Sequence, residues 1–244
     1  MFPLRLAFLI ALINSLLKSV AFAQQSVPDK LVESPAISYA KAVYYDKINV
    51  RKTVFSGPQY LAFSKLDYPY FQTDSARSGT IVYDGLTVNG VRLLYDIEAD
   101  RLVMQYPQSP LQFLLDTTRI ADFTLGGHTF HRFAADSTRP AGLATGFYDM
   151  LLPAEPLQLV VRRQKQRQEE TREKRRVTYY LLHDKYYVIE QMTAVPIRRK
   201  KELYRLRPEK KKELVAFLRK SGLSFKNNKE AYLLAGVKYL NTIL

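Results

Sequence analysis

Two histidines in the stretch His128-Thr129-Phe130-His131 are the first candidates for chemistry, because imidazole is a common metal ligand. The flanking residues predict a strand. Residues three apart on a strand point to opposite faces, so one ion would not meet both rings. The sequence has one other histidine, His183, and no cysteine to complete a zinc or iron site. We therefore predict no metal site and no cofactor.

Three alternating acids, Asp96, Glu98 and Asp100, have the spacing of the first ligands in a calcium-binding loop. Such a loop needs glycine at its sixth position and a bidentate glutamate at its twelfth. The corresponding residues here are Arg101 and Pro107. We expect these acids to form the polar face and tip of a turn between two strands.

One common motif of nucleophilic catalysis is absent from this chain. It contains no Gly-x-Ser-x-Gly, and no glycine-rich loop that could cradle a phosphate. A triad built from distant Ser, His and Asp residues would leave no local trace. An enzyme of unrecognised type therefore stays as an alternative.

Positive charge is concentrated in two segments. Residues 162–176 hold eight basic and three acidic residues, and residues 198–212 hold nine basic and two acidic residues. Together the two segments account for the whole positive excess of residues 24–244, because the rest of that range is neutral. The basicity thus belongs to two local segments and is not a general property of the chain.

The first basic segment continues a predicted strand in which Leu157, Leu159 and Val161 alternate toward a core. A core does not accept a following row of unpaired charges, so we expect the strand to leave the sheet near Arg162. The segment would then form a protruding hairpin or a short helix, either as a purely solvated protrusion or as a binding surface. The candidate binding residues are Arg162, Arg163, Lys165, Arg167, Arg175, Arg176, Arg198, Arg199, Lys200 and Lys201.

The first 23 residues have the three parts of a secretory signal peptide: a basic start, a short apolar run and an Ala-x-Ala ending at Ala23. The alternatives are a retained membrane anchor and a buried first helix. Cleavage after Ala23 predicts an exported protein, periplasmic or extracellular, with no transmembrane helix left. Because the chain has no cysteine for disulfides, a bacterial envelope is the expected compartment.

Short apolar runs separated by turn residues predict a β-rich body. Asn89-Gly90 favours a tight hairpin, and residues 177–191 read as a last hairpin that turns at His183-Asp184-Lys185. Ser34 and Pro35 favour a short helix over residues 35–46. Pro208, Gly222 and an apolar stripe at helical spacing predict a helical pair after residue 198. We predict one α+β domain over residues 24–244, with an antiparallel meander or open barrel as its β body (residues 24–197) and a helical segment over residues 198–244.

Several stretches together resemble a family of uncharacterised exported bacterial proteins of similar length. They are "VFSGPQYLAF", "VYDGLTVNGVRLLYDIEADRLV", "GFYDMLLP", "YYLLHDKYYVI" and "KKKELVAFLRKSGLSFKNNKEAYLLAGVKYLN". The resemblance implies export and carries no activity, ligand or catalytic residue.

Taken together, these features predict a non-enzymatic exported binding protein that associates with the cell envelope through its basic surface. The expected partners are anionic lipid, glycolipid or an envelope protein. A nucleic-acid partner is not expected, although Tyr179, Tyr180, Tyr186 and Tyr187 lie beside the basic segment. A carrier of an apolar ligand inside an open β-sheet is the second alternative, beside the enzyme.

Overall fold

A computed structural model describes residues 57–60, 67–106, 110–172 and 175–243. The predicted signal peptide (residues 1–23) and the predicted helix over residues 35–46 lie outside the described residues. Within them the chain combines antiparallel β-sheet with α-helices near its C-terminal end, so the β-rich character and a C-terminal helical segment are confirmed.

Twelve strands are present in the described part of the chain. They are β1 (Arg77–Tyr83), β2 (Leu86–Asp96), β3 (Arg101–Gln105), β4 (Gln112–Leu114), β5 (Ile120–Leu125), β6 (His128–Phe133), β7 (Gly146–Leu152), β8 (Gln158–Arg162), β9 (Lys165–Arg172), β10 (Arg175–Leu182), β11 (Lys185–Glu190) and β12 (Thr193–Pro196). Ten of them form one sheet in the order β12-β11-β8-β7-β6-β5-β1-β2-β3-β4. The sheet is antiparallel and does not close into a barrel, and it is not a simple meander, because β5 pairs with β1 and not with β4.

The prediction of a tight hairpin at Asn89-Gly90 is wrong. Both residues lie inside the long strand β2, where Gly90 has a φ of 71° and the register to β1 shifts between Gly79 and Thr80. A glycine with positive φ is the usual first residue of one class of β-bulge. The same conformational freedom that favours a turn therefore accommodates an extra residue in a continuing strand.

The prediction of a hairpin over residues 177–191 is also wrong in its pairing. No turn lies at His183 and Asp184: β10 pairs with β9 and β11 pairs with β8, so the two residues only interrupt one leg of a longer hairpin. The strands β9 and β10 form a separate two-stranded sheet, inserted between two neighbours of the main sheet. Because each strand has eight residues, the hairpin is roughly 26 Å long at about 3.3 Å per residue.

The middle of the main sheet packs around aromatic side chains. Phe123 and Phe130 stack with ring centroids 4.7 Å apart, and Tyr95 and Phe147 meet them edge to face. All four side chains are buried. Offset stacked and edge-to-face pairs of this kind stabilise a core beyond the area that they bury.

Three α-helices cover one end of the sheet in the described chain, one more than the predicted pair. They are α1 (Lys200–Arg205), α2 (Lys211–Lys220) and α3 (Lys229–Thr242). Apolar side chains of the helices, including Leu203, Leu218 and Val237, form one buried cluster with Leu159 and Val161 of β8. None of the helices in the described ranges is long and apolar enough to span a bilayer.

Candidate anion-binding site

The acids Asp96 and Asp100 hold the turn between β2 and β3, as the sequence predicted. Asp96 is buried and its Oδ1 accepts the backbone N–H groups of Glu98 and Ala99, each at 3.0 Å. Asp100 has a positive φ of 56° and accepts a hydrogen bond from the Tyr95 hydroxyl. These carboxylates are therefore structural.

The two neighbouring histidines of β6 meet different carboxylates on different strands. Nδ1 of His128 lies 2.7 Å from Oδ2 of Asp149, and Nδ1 of His131 lies 2.7 Å from Oδ1 of Asp122. The divergence expected for residues three apart on a strand is confirmed.

Arg163 is the main correction to the predicted basic surface. Its side chain is only 7% exposed and lies on the same face of the sheet as the buried side chain of Val161 in β8. Strand β8 ends at Arg162 as expected. The core nevertheless accepts the charged guanidinium of Arg163, because three carboxylates surround this group. Burial alone would lower the pKa of Arg163, but Glu230, Asp149 and Asp184 outweigh burial and raise it.

The Arg163 network consists of Arg163, Asp149, Asp184 and Glu230. Nε and Nη2 of Arg163 donate to Oδ2 of Asp149 at 2.8 and 2.5 Å. Nη1 donates to Asp184 at 2.8 Å and to Glu230 at 2.6 Å. Asp149 belongs to β7, Asp184 to the break between β10 and β11, and Glu230 to α3, so one guanidinium ties three separate parts of the chain together.

Arg162 also turns back toward the body of the protein. Its guanidinium lies 3.4 Å from Asp100 and 5.7 Å from the centroid of the Tyr148 ring. Lys165 is half-buried, and its Nζ donates to the carbonyl oxygen of Tyr68 at 2.7 Å. Neither residue is a freely solvated charge.

The remaining predicted residues of the first segment lie on the basic hairpin, which we define as β9 and β10. Arg167 and Arg176 are exposed, and both approach the carboxylate of Glu169. Arg175 stands opposite Arg172 in the register of the two strands. The described part of the hairpin thus presents Arg167 and Arg176 to solvent, with part of their charge offset by Glu169.

The second basic segment begins at the base of the same hairpin. Strand β12 runs back along β11, and the N–H of Ile197 donates to the carbonyl of Tyr186 at 2.8 Å. Residues after Ile197 therefore return to the end where β11 pairs Lys185 with Arg162. Four predicted residues are exposed at this point: Arg198, Arg199, Lys200 and Lys201.

A pocket of about 340 Å³ lies between these elements. We call it the anion pocket, and its cationic residues are Lys185, Arg198 and Lys229, with His183 beside them. Among the described residues, no carboxylate comes within ion-pairing distance of these three cations. The one acidic residue of the lining, Asp184, accepts from Arg163. The pocket therefore has an excess of positive charge.

Lys229 is held in the anion pocket by aromatic rings. Its Nζ lies 4.7 Å from the centroid of the Tyr186 ring and 5.5 Å from that of Phe225. Burial lowers the pKa of Lys229, and the charge of Asp184 opposes that shift. A partly desolvated ammonium gains from an anionic partner, because the partner restores favourable charge interactions that burial removed.

Sequence reasoning missed Lys185 and Lys229. Lys185 was assigned to a turn, and Lys229 lies outside both basic segments, in the first turn of α3. Lys185 could have been noticed from its position in the sequence, between Asp184 and two tyrosines. For Lys229 no local signal existed, because only the packing of α3 against β11 brings it to the pocket.

Comparisons with known proteins add no relative to this description. The chain matches no protein-family model, no curated protein and no solved structure.

Proposed function

We propose that this chain is a non-enzymatic exported protein that associates with the cell envelope by binding anionic headgroups. The anion pocket is the site, and the basic hairpin and the exposed residues 198–201 extend it. The observation that carries the proposal is that three cations, Lys185, Arg198 and Lys229, line one pocket, and no carboxylate of the described chain lies within ion-pairing distance of them.

The charge at this end of the sheet suffices for membrane association. A cation close to an anionic leaflet contributes about 1 kcal/mol. Six exposed or partly exposed cations, namely Lys185, Arg198, Arg199, Lys200, Lys201 and Lys229, lie in or beside the pocket. Their sum, roughly 6 kcal/mol before screening, matches reversible binding to a surface rich in anionic lipid.

The shape of the surface favours headgroups over an extended strand of nucleic acid. Single-stranded nucleic acid prefers aromatic rings that are free to stack with successive bases. Here Tyr180 and Tyr186 are buried, and Lys229 covers the ring of Tyr186. A compact phosphate group fits the pocket without needing an exposed ring.

The test measures co-sedimentation of the purified chain with vesicles. Vesicles of phosphatidylglycerol mixed with phosphatidylcholine should bind it, and pure phosphatidylcholine vesicles should not. Binding should fall with salt, because the Debye length shrinks from roughly 10 Å at 0.1 M to roughly 3 Å at 1 M. Binding that persists at high salt would contradict an electrostatic mechanism.

A pair of matched variants locates the surface. Replacing Lys185, Arg198 and Lys229 with glutamine should weaken vesicle binding roughly 10- to 100-fold, at about 1 kcal/mol for each charge. The control replaces Arg101, Lys220 and Lys238, three exposed cations outside the anion pocket, with the same loss of charge. Equal weakening by both triple variants would reject the pocket and leave only a general charge effect.

A variant of the hairpin must leave Arg163 intact. Neutralising Arg163 would break a buried network and confuse loss of binding with loss of folding. Arg167→Gln with Arg176→Gln removes only exposed charges. We expect this double variant to fold normally and to bind vesicles more weakly than the parent chain.

A further inference from the structure

A second pocket of about 400 Å³ lies on the other side of the Arg163 network. We call it the His128 pocket. Phe71, Ile97 and Leu182 form its apolar walls, and His128 and Lys165 supply its polar groups. This volume lies in the usual range for sites that bind small organic molecules.

The apolar walls differ in exposure. Phe71 and Ile97 are buried, whereas Leu182 is 66% exposed and stands at the base of the basic hairpin. Its neighbour on the opposite face of β10, Leu181, is 52% exposed and does not line the pocket. An apolar ligand body seated against Leu182 would remove part of this surface from water, which is favourable.

Lys165 brings a cation with spare donors to the pocket. Its Nζ lies 4.3 Å from the centroid of the Tyr68 ring and makes one hydrogen bond, to the Tyr68 carbonyl. An ammonium has three N–H donors, so the described contact leaves capacity for a ligand. Burial lowers the pKa of Lys165, and Asp67 acts in the opposite direction. A carboxylate placed here would compensate the desolvated charge.

His128 offers a second, oriented polar atom. Its Nδ1 meets Asp149, and its ring packs edge to face on Phe71 with centroids 5.1 Å apart. Asp149 is itself fixed by Arg163. These contacts set the plane of the imidazole. Because Nδ1–H donates to Asp149, Nε2 donates to a ligand carboxylate when the ring carries a second proton. None of the described residues that line the pocket is Ser, Thr or Cys, so the arrangement suits binding more than nucleophilic catalysis.

The two acidic residues of the lining restrict the charge of the ligand. Asp184 and Glu230 share Arg163 with Asp149, so three carboxylates face one guanidinium. The group around Arg163 therefore carries more negative than positive charge. It repels a second negative charge on a ligand, whereas a single negative charge can lie beside Lys165. A dicarboxylate or a phosphate dianion therefore fits this pocket less well than a monocarboxylate.

We propose that the His128 pocket binds a small monocarboxylate with an apolar body. The carboxylate lies between Nζ of Lys165 and Nε2 of His128, and the body packs against Phe71, Ile97 and Leu182. This site is distinct from the anion pocket, so the result for one binding proposal does not decide the other.

Calorimetric titration of the purified chain with hexanoate tests the proposal. We expect saturable binding with a dissociation constant of about 1 mM or below. Hexylamine, hexanol and adipate should each bind at least roughly tenfold more weakly, because they lack the single negative charge. No saturable binding of hexanoate, or equal binding of hexylamine, would overturn the proposal.

Two variant pairs assign the contacts. Lys165→Gln should weaken hexanoate binding by roughly tenfold or more, whereas Arg167→Gln, two residues along the same face of β9, should not. Leu182→Ser should weaken binding by a few-fold, whereas Leu181→Ser should leave it unchanged. Unchanged affinity in Lys165→Gln would reject the assigned site even if hexanoate binds elsewhere.

A measurement on the unaltered chain guards against variants that fail to fold. The sequence has three histidines, so their ring signals can be separated by NMR and assigned with His131→Gln and His183→Gln. Hexanoate should shift the His128 signals and leave those of His183, in the anion pocket, unchanged. A shift confined to His183 would place the carboxylate in the anion pocket and overturn the proposal.

Discussion

Replacing Arg163 with methionine should cause a large loss of stability. The substitution keeps much of the side-chain volume and removes the only guanidinium shared by Asp149, Asp184 and Glu230. Removing one partner of a buried ion pair costs about 3–5 kcal/mol, because the other charge stays buried without compensation. The free energy of unfolding of a typical domain is only about 5–15 kcal/mol, so this loss is a large share of it.

Urea unfolding followed by circular dichroism measures this effect. With a slope of about 1–3 kcal/mol per molar urea, a loss of roughly 4 kcal/mol lowers the midpoint by about 2 M. Arg163→Lys should fall between the parent and Arg163→Met, because one ammonium cannot reproduce the forked contact. Arg176→Met is the matched control, since that side chain is 78% exposed, and its effect should stay within about 0.5 kcal/mol.

A double-mutant cycle separates the network from general packing. If the network stabilises the fold, Arg163→Met and Glu230→Gln should be non-additive by about 0.5–3 kcal/mol. Arg163→Met within about 1 kcal/mol of the parent chain would refute the reasoning. So would full additivity with Glu230→Gln, because the lost stability would then come from packing alone.

Three further predictions concern the fold. Deleting residues 208–244 should abolish cooperative urea unfolding, because each large apolar side chain that α2 and α3 bury contributes roughly 1.5–3 kcal/mol; a truncated chain as stable as the intact one would contradict this. Gly79→Ala should lower the free energy of unfolding by about 1–3 kcal/mol, because the added Cβ would come within 2.1 Å of the Thr124 carbonyl oxygen; an unchanged midpoint would show that the strands separate at little cost. The hydrogen bond from Arg207 lowers the pKa of Glu190, so this partly buried pair stabilises the fold above the usual pKa of 4.5 and loses its effect as pH falls through the lowered value. Glu190→Gln should therefore cost about 0.5–1 kcal/mol near pH 7 and progressively less in acid, and a difference that grows in acid would reverse the assigned sign.

Local patterns predicted the strands well and their partners less well. Short apolar runs between turn residues predicted the β-rich body, because strands such as β5 and β6 bury part of their side chains. The choice of partner for β10 was not local. The expected turn at His183 is instead a break within one leg of a longer hairpin, because the two-stranded sheet is inserted between β8 and β11.

The fate of Arg163 could not be read from its neighbours. The alternation of apolar residues through Val161 correctly predicted that residue 163 lies on the inward face of the strand. The error was to assume that no carboxylate on that face pairs with its charge. Its partners lie 14, 21 and 67 residues away along the chain. For the same reason Lys229 was missed, whereas the exposed residues 198–201 were found from composition alone.

The position of α3 sets the order in which this chain can finish folding. Asn241 bonds both backbone groups of Leu157 across 84 residues, and Leu233 and Val237 cover the apolar face that β8 contributes. Contacts so distant in sequence form late, because loop closure must precede them. A chain that is still being synthesised therefore keeps that face uncovered until α3 has emerged. Until then it displays the kind of apolar surface that chaperones and proteases recognise, and the docking of α3 is the step that ends this exposure.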